Sequence, residues 1–172
     1  MMQIYIPVTL AMLAQLIAEG SVSPVNGTAF AVTPRLREAY AEGDDDELGE
    51  VALRDAALAS LRLLAATAEA SERWGAQLPP RRAVLVADVG DVTLRPDLDD
   101  AVVRIGAPVP IDDVVAAFVD NADAQAHVTA AIAVVDAADL GDEDAELSIG
   151  DAQDHDLAWY APQELPFLLD LL

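Results

Sequence analysis

The residues best placed to do chemistry in this chain stand where three strand-like runs meet a proline and then a helical run. Ile4-Tyr5-Ile6-Pro7-Val8-Thr9, Phe30-Ala31-Val32-Thr33-Pro34 and Leu157-Ala158-Trp159-Tyr160-Ala161-Pro162 share that order. The first two belong to a β-α-β pattern, which joins parallel strands by a right-handed crossover. If the last strand enters the same sheet in parallel, the three carboxyl ends gather Tyr5, Thr9, Thr33, Arg35, Tyr160, Gln163 and Glu164. Ligands of open α/β sheets bind at such ends. In that pocket Arg35 would grip a carboxylate or phosphate, with Glu164 and Tyr160 opposite. The competing reading is structural: the threonines cap helices, the prolines punctuate and the aromatics pack.

Other combinations carry less. His127 falls beside the apolar stripe of a helical segment and reads as a structural residue. His155 lies between Asp154 and Asp156, a run able to raise an imidazole pKa or contribute to a metal site. Adjacent strand residues point to opposite faces, however, so His155 reads as loop-solvated. Asp139, Asp142, Asp144 and Glu146 imitate a calcium loop but lack the glycine that an EF-hand needs. No Gly-x-Ser-x-Gly, Walker, Gly-x-Gly-x-x-Gly or zinc-dyad pattern occurs. The residues single out no metal, no cofactor and no nucleophile.

The elements that must position these groups follow from periodicity. Met2–Ile6 alternates as a strand that Pro7 ends, and Thr9 caps a helix that stops at Gly20. Thr28–Thr33 is a second strand, and Pro34 opens a short helix behind a Thr33 cap. The acids Asp44–Glu47 precede a helix from about Asp46 to Trp74, where the macrodipole favours negative charge. Leu48, Val51, Leu58 and Leu61 form its stripe, Glu50–Arg54 and Glu69–Arg73 are i,i+4 pairs, and Gly75 closes it. Ala83–Val89 is nearly all apolar and predicts a strand buried on both faces. Val92–Leu94, Ala101–Ile105 and Val115–Val119 are further strands, and a helix runs from Asp120 or Asn121 to about Ala138. Asp142–Asp154 reads as an acidic flexible loop, and Asp97–Asp100 as a second poorly ordered stretch. Pro162–Leu165 is a single turn, with Pro166 restarting the helix to Leu172.

Length and composition set the outer bounds. A chain of 172 residues fits one domain, 1–172. It has no cysteine, so thiolate chemistry is excluded, and it has no lysine. The absent thiols agree with a reducing cytoplasm. No leader-like start and no long apolar run appears, so neither a signal peptide nor a membrane span is expected. A net charge of −22 opposes binding to nucleic acid or an anionic membrane and favours basic partners.

The quoted segments, with Trp159-Tyr160-Ala161-Pro162-Gln163-Glu164-Leu165, resemble an uncharacterised family of actinobacterial proteins of about this length. The similarity spans the chain. It implies a cytoplasmic bacterial domain of unknown function and supplies no catalytic residues. The expected fold is α+β, with α/β as the alternative: a single mixed sheet of about five or six strands covered by helices, in which the first, second and last strands are parallel. The expected function is a non-enzymatic binding or regulatory module acting through protein contacts. A small-molecule enzyme, hydrolase or transferase, using the strand-end pocket is the second reading, and a nucleic-acid mimic the third. The oligomeric state is left open.

Overall fold

The computed structural model describes residues 1–74 and 78–172, and side chains for all of these except 68–74. The expected Glu69–Arg73 pair and the Gly75 stop fall outside the described residues.

Among the described residues nine strands form two sheets: β1 (Met2–Val8), β2 (Ser21–Val22), β3 (Thr28–Phe30), β4 (Ala83–Val89), β5 (Val92–Leu94), β6 (Val102–Ile105), β7 (Val109–Pro110), β8 (Val114–Val119) and β9 (Ala158–Tyr160). Seven make the main sheet in the order β5-β6-β3-β1-β4-β8-β9, and β2 pairs with β7. Every pairing is antiparallel. The fold is therefore α+β, but the sheet is larger than the five or six strands expected, and the parallel trio does not exist. Because β3 returns antiparallel beside β1, the intervening α1 and β2 do not act as a parallel crossover.

Pro7 does not end β1; it pairs with Val84 inside the ladder. Proline lacks an N–H, which a central strand normally needs. Here the β3 side of β1 carries one pair, Tyr5 with Phe30, so the ladder at Pro7 is one-sided.

Alternation along the strands divides the core in two. Ile4, Ile6 and Val8 of β1, with Ala83, Leu85 and Ala87 of β4, are buried on one face. That face is covered by α1 (Leu10–Glu19) and α6 (Leu165–Asp170), through Leu10, Leu13, Leu16, Leu165 and Leu168. Thr9 caps α1 by accepting from the Met12 N–H at 3.3 Å, and Gly20 ends it at φ 81°, a left-handed conformation that glycine adopts freely. The opposite face presents Tyr5, Phe30, Val84 and Phe118 to α3 (Asp45–Trp74).

Ser60 fastens α3 to the sheet. Its buried hydroxyl donates to the Val8 carbonyl at 2.7 Å and accepts from the Ala83 N–H at 3.0 Å. The acidic stretch expected to be a flexible loop, 142–154, is instead mostly helix: α5 (Glu143–Gln153), capped by Asp142 accepting from the Ala145 N–H at 2.9 Å. Ile149 and Ala152 bury against Val128, Ala131 and Val135 of α4 (Gln125–Asp139), and Ala145 is buried as well. Three small apolar positions at helical spacing hold it in place despite the surrounding acids. Asp97–Asp100 is likewise anchored, since Asp97 pairs with Arg95 at 2.8 Å and the Asp100 carbonyl accepts from the Thr33 hydroxyl.

Candidate binding groove

The strand-end pocket is not assembled. In an antiparallel sheet β1 runs against both β3 and β9, so the carboxyl end of β1 lies at the opposite margin from theirs. Strands β3 and β9 are also four strand spacings apart, roughly 19 Å at about 4.8 Å each. Thr9 caps α1. Thr33 caps α2 (Pro34–Ala39) by accepting from the Leu36 N–H at 3.1 Å. Arg35 is 61% exposed and pairs with Asp100 at 3.4 Å. Tyr160 packs at the margin of the α1–α6 core, and Gln163 faces a hollow beside Ile17 and Ile111. Glu164 turns back to accept from the Ala161 N–H at 3.1 Å. Arg35, Tyr160 and Glu164 occupy separate surroundings; Thr33 and Arg35 line a hollow of about 250 Å³ of their own, with Glu38, Leu94 and Asp100. Tyr5 belongs to a different site.

That site arises because α3 does not cover the whole sheet. It packs on β1, β4 and β3 and reaches β8 at Phe118, while Trp159 on β9 stays exposed beyond it. The result is a cleft of about 830 Å³ with a floor of Val86, Ala116, Phe118 and Trp159. Its wall is the start of α3, where Asp46, Gly49, Glu50 and Leu53 recur at helical spacing along one side. A bulge interrupts the β4–β8 ladder at the floor. Val86 pairs with Ala116 and Ala87 with Val114, so Val115 has no partner on β4 and stands 42% exposed. Trp159 is 57% exposed on edge strand β9. A second hollow of about 280 Å³ shares Glu50 and Leu53 and extends past Arg54 to His155.

Tyr5 points from the floor toward the helix. A Cβ at Gly49 would lie 3.0 Å from its hydroxyl, so the bare glycine makes room for the ring. Burial, and then the nearby charge of Asp46, push the Tyr5 phenol above its ordinary value. The phenol therefore stays protonated and offers a donor. On the rim Arg37 pairs with Asp45 at 2.5 Å, while Asp46 and Glu50 have no ion pair among the described residues. The anticipated Glu50–Arg54 pair is not formed. The groove thus combines an apolar floor, one exposed indole and an excess of carboxylates. Sequence alone did not group these residues, although the i,i+4 series 46, 50 beside 49, 53 marks one helix face. Among the described residues no group of three or more His, Asp or Glu could hold a metal ion.

An antiparallel α+β domain with one half-open sheet face defines the class of molecule. The chain belongs to a family of unknown function (DUF6912), whose pattern matches residues 2–169. No curated protein and no solved structure matches it. No described helix is long and apolar enough to cross a membrane.

Proposed function

We propose that the protein is a non-enzymatic binding module that takes a basic, extended segment of a partner protein into the groove between α3 and β9. The observation that carries this reading is the pairing of unneutralised acids, Asp46 and Glu50, with the exposed Trp159 indole beside half-buried Phe118. Amphipathic segments suit such a site, because apolar side chains bury on the floor while guanidinium or ammonium groups meet the carboxylates. A net charge of −22 would draw in cationic partners and repel acidic ones. The lack of cysteine and the family resemblance support a cytoplasmic, bacterial setting.

Trp159 supplies the assay, since the chain has one other tryptophan, Trp74. In a Trp74→Phe background, an alternating Arg/Leu decapeptide should shift Trp159 emission saturably at low salt. A Glu/Leu control should not. Asp46→Asn with Glu50→Gln should weaken the response, and raising salt to screening strength should do the same. No shift with the basic peptide at low salt would end the proposal.

A further inference from the structure

We propose that His127 and His155 form a two-histidine site for a late first-row divalent ion, of the Zn²⁺, Ni²⁺ or Cu²⁺ class. This stands apart from the groove reading. His127 Nδ1 and His155 Nε2 face one another at 2.7 Å, with ring centroids 5.0 Å apart and planes inclined by 46°. The folding of the chain places them there. Helices α4 and α5 form an antiparallel hairpin about Gly141, and each histidine lies fourteen positions from that glycine. Gly141 turns the chain at φ 94°.

Both rings are carried on backbone that is already fixed. His127 sits in the first turn of α4. The His155 N–H donates to the Ala152 carbonyl at 3.2 Å, and its own carbonyl accepts from Arg82 Nη2 at 2.9 Å. Arg82 is itself locked in a buried ion pair with Asp120. The backbone beneath each ring is therefore set before an ion arrives.

At 2.7 Å the two nitrogens share a proton, one donating and the other accepting. A metal ion can replace that proton, which moves to an outer ring nitrogen or to solvent. Metal–nitrogen bonds of about 2.0–2.1 Å at a tetrahedral centre hold two ligand nitrogens about 3.3 Å apart. The nitrogens need to part by roughly 0.6 Å. Because the rings meet head-on, each must also turn by roughly 35° to aim its lone pair at a shared ion, a motion open to side chains that meet at an exposed position. No third described His, Asp or Glu closes around the position, so water would complete the coordination. The site is then open and moderate in affinity. Imidazole pairs favour Cu²⁺, Ni²⁺ and Zn²⁺ over Mg²⁺ or Ca²⁺.

The test is calorimetric titration of the full chain with ZnCl₂ and NiCl₂, with MgCl₂ as a control for diffuse binding to the acidic surface. One saturable Zn²⁺ site, absent with Mg²⁺ and lost in both His127→Ala and His155→Ala, is the expected result. The melting temperature of the wild-type chain should rise with Zn²⁺, and that of the variants should not. His127→Gln gives the same readout if an alanine variant fails to fold. Two results overturn the proposal: no saturable Zn²⁺ binding to the wild-type chain, or binding that survives in both variants.

Discussion

Arg82 and Asp120 meet in a two-point ion pair sealed from solvent, with Nη2–Oδ1 at 2.7 Å and Nε–Oδ2 at 2.9 Å. Their side chains are 3% and 0% exposed. The Arg82 backbone N–H also donates to Oδ2, at 2.8 Å. One guanidinium thus joins the start of β4, the end of β8 and the connector that enters β9. Removing either partner would leave an uncompensated buried charge. Arg82→Ala or Asp120→Ala should cost about 3–5 kcal/mol in urea unfolding. The double change Arg82→Met with Asp120→Leu should cost far less than the sum of the single changes.

Ser60 makes a second prediction. Its hydroxyl serves the Val8 carbonyl and the Ala83 N–H at once. Ser60→Ala strands both backbone groups beneath α3, at about 1–3 kcal/mol. Ser60→Thr should fare better if the added methyl can be placed, because the oxygen is kept. Chemical denaturation of the two variants compares them directly.

Asp55 links stability to pH. It is half-buried on α3, and its pKa is raised from 3.8 to about 6, first by desolvation and then by the charges of Asp99 and Asp100. Between those two values the folded chain holds a proton that the unfolded chain has released. The contribution of Asp55 to stability therefore rises as pH falls from 7 toward 4, and its cost is fully present above about 6. Much of the group is open to solvent, so the effect is discounted to about 1 kcal/mol. Asp55→Asn should be more stable than the parent at pH 7.5, and the difference should vanish near pH 3.5. A constant difference across that range would place its cause elsewhere.

Leu165 tests the attachment of the C-terminal segment. It is fully buried between α1 and the sheet. Leu165→Ala should lose about 2–5 kcal/mol, whereas Phe167→Ala, at a position 71% exposed, should change stability little. Thermal melts of the two variants distinguish them. The closing segment holds the fold through α6 against α1, and through β9 against β8. It does not lie beside β1, as the parallel arrangement required.

Local structure was largely legible because it depends on local rules. Thr9, Thr33, Pro34 and Gly20 each act as their side chains or backbone freedom dictate. Ala83–Val89 is a central strand, as its apolar run implies. What escaped was relative direction. Strand, helix, strand in sequence points to a parallel crossover only if the helix returns the chain across the sheet, and the two-residue β2, which sends it back antiparallel after pairing with the distant β7, has no marker. The pocket built on that direction went with it. The error at 142–154 had another cause. Net charge dominated the reading of a segment whose three alanine and isoleucine anchors were sparse but correctly spaced. That misreading also hid the meeting of His127 with His155, which only a helical hairpin brings about. Tyr5 lines the groove beside Asp46 and Gly49, far from the neighbours that a parallel sheet would give it.

The placement of β1 has a consequence for how the chain acquires its structure. It is the middle strand of seven, yet its longest pairing is with β4, and the thirty-residue helix α3 stands between them in the chain. During synthesis the apolar face of Ile4, Ile6 and Val8 leaves the ribosome well before Ala83–Val89 exists to receive it. Pairings so distant in sequence delay folding, because the loop must close before the contacts reward it. The leading strand of this sheet is thus among the last to be secured. In the interval its exposed edge is the part of the nascent chain most open to capture by chaperones or by another copy.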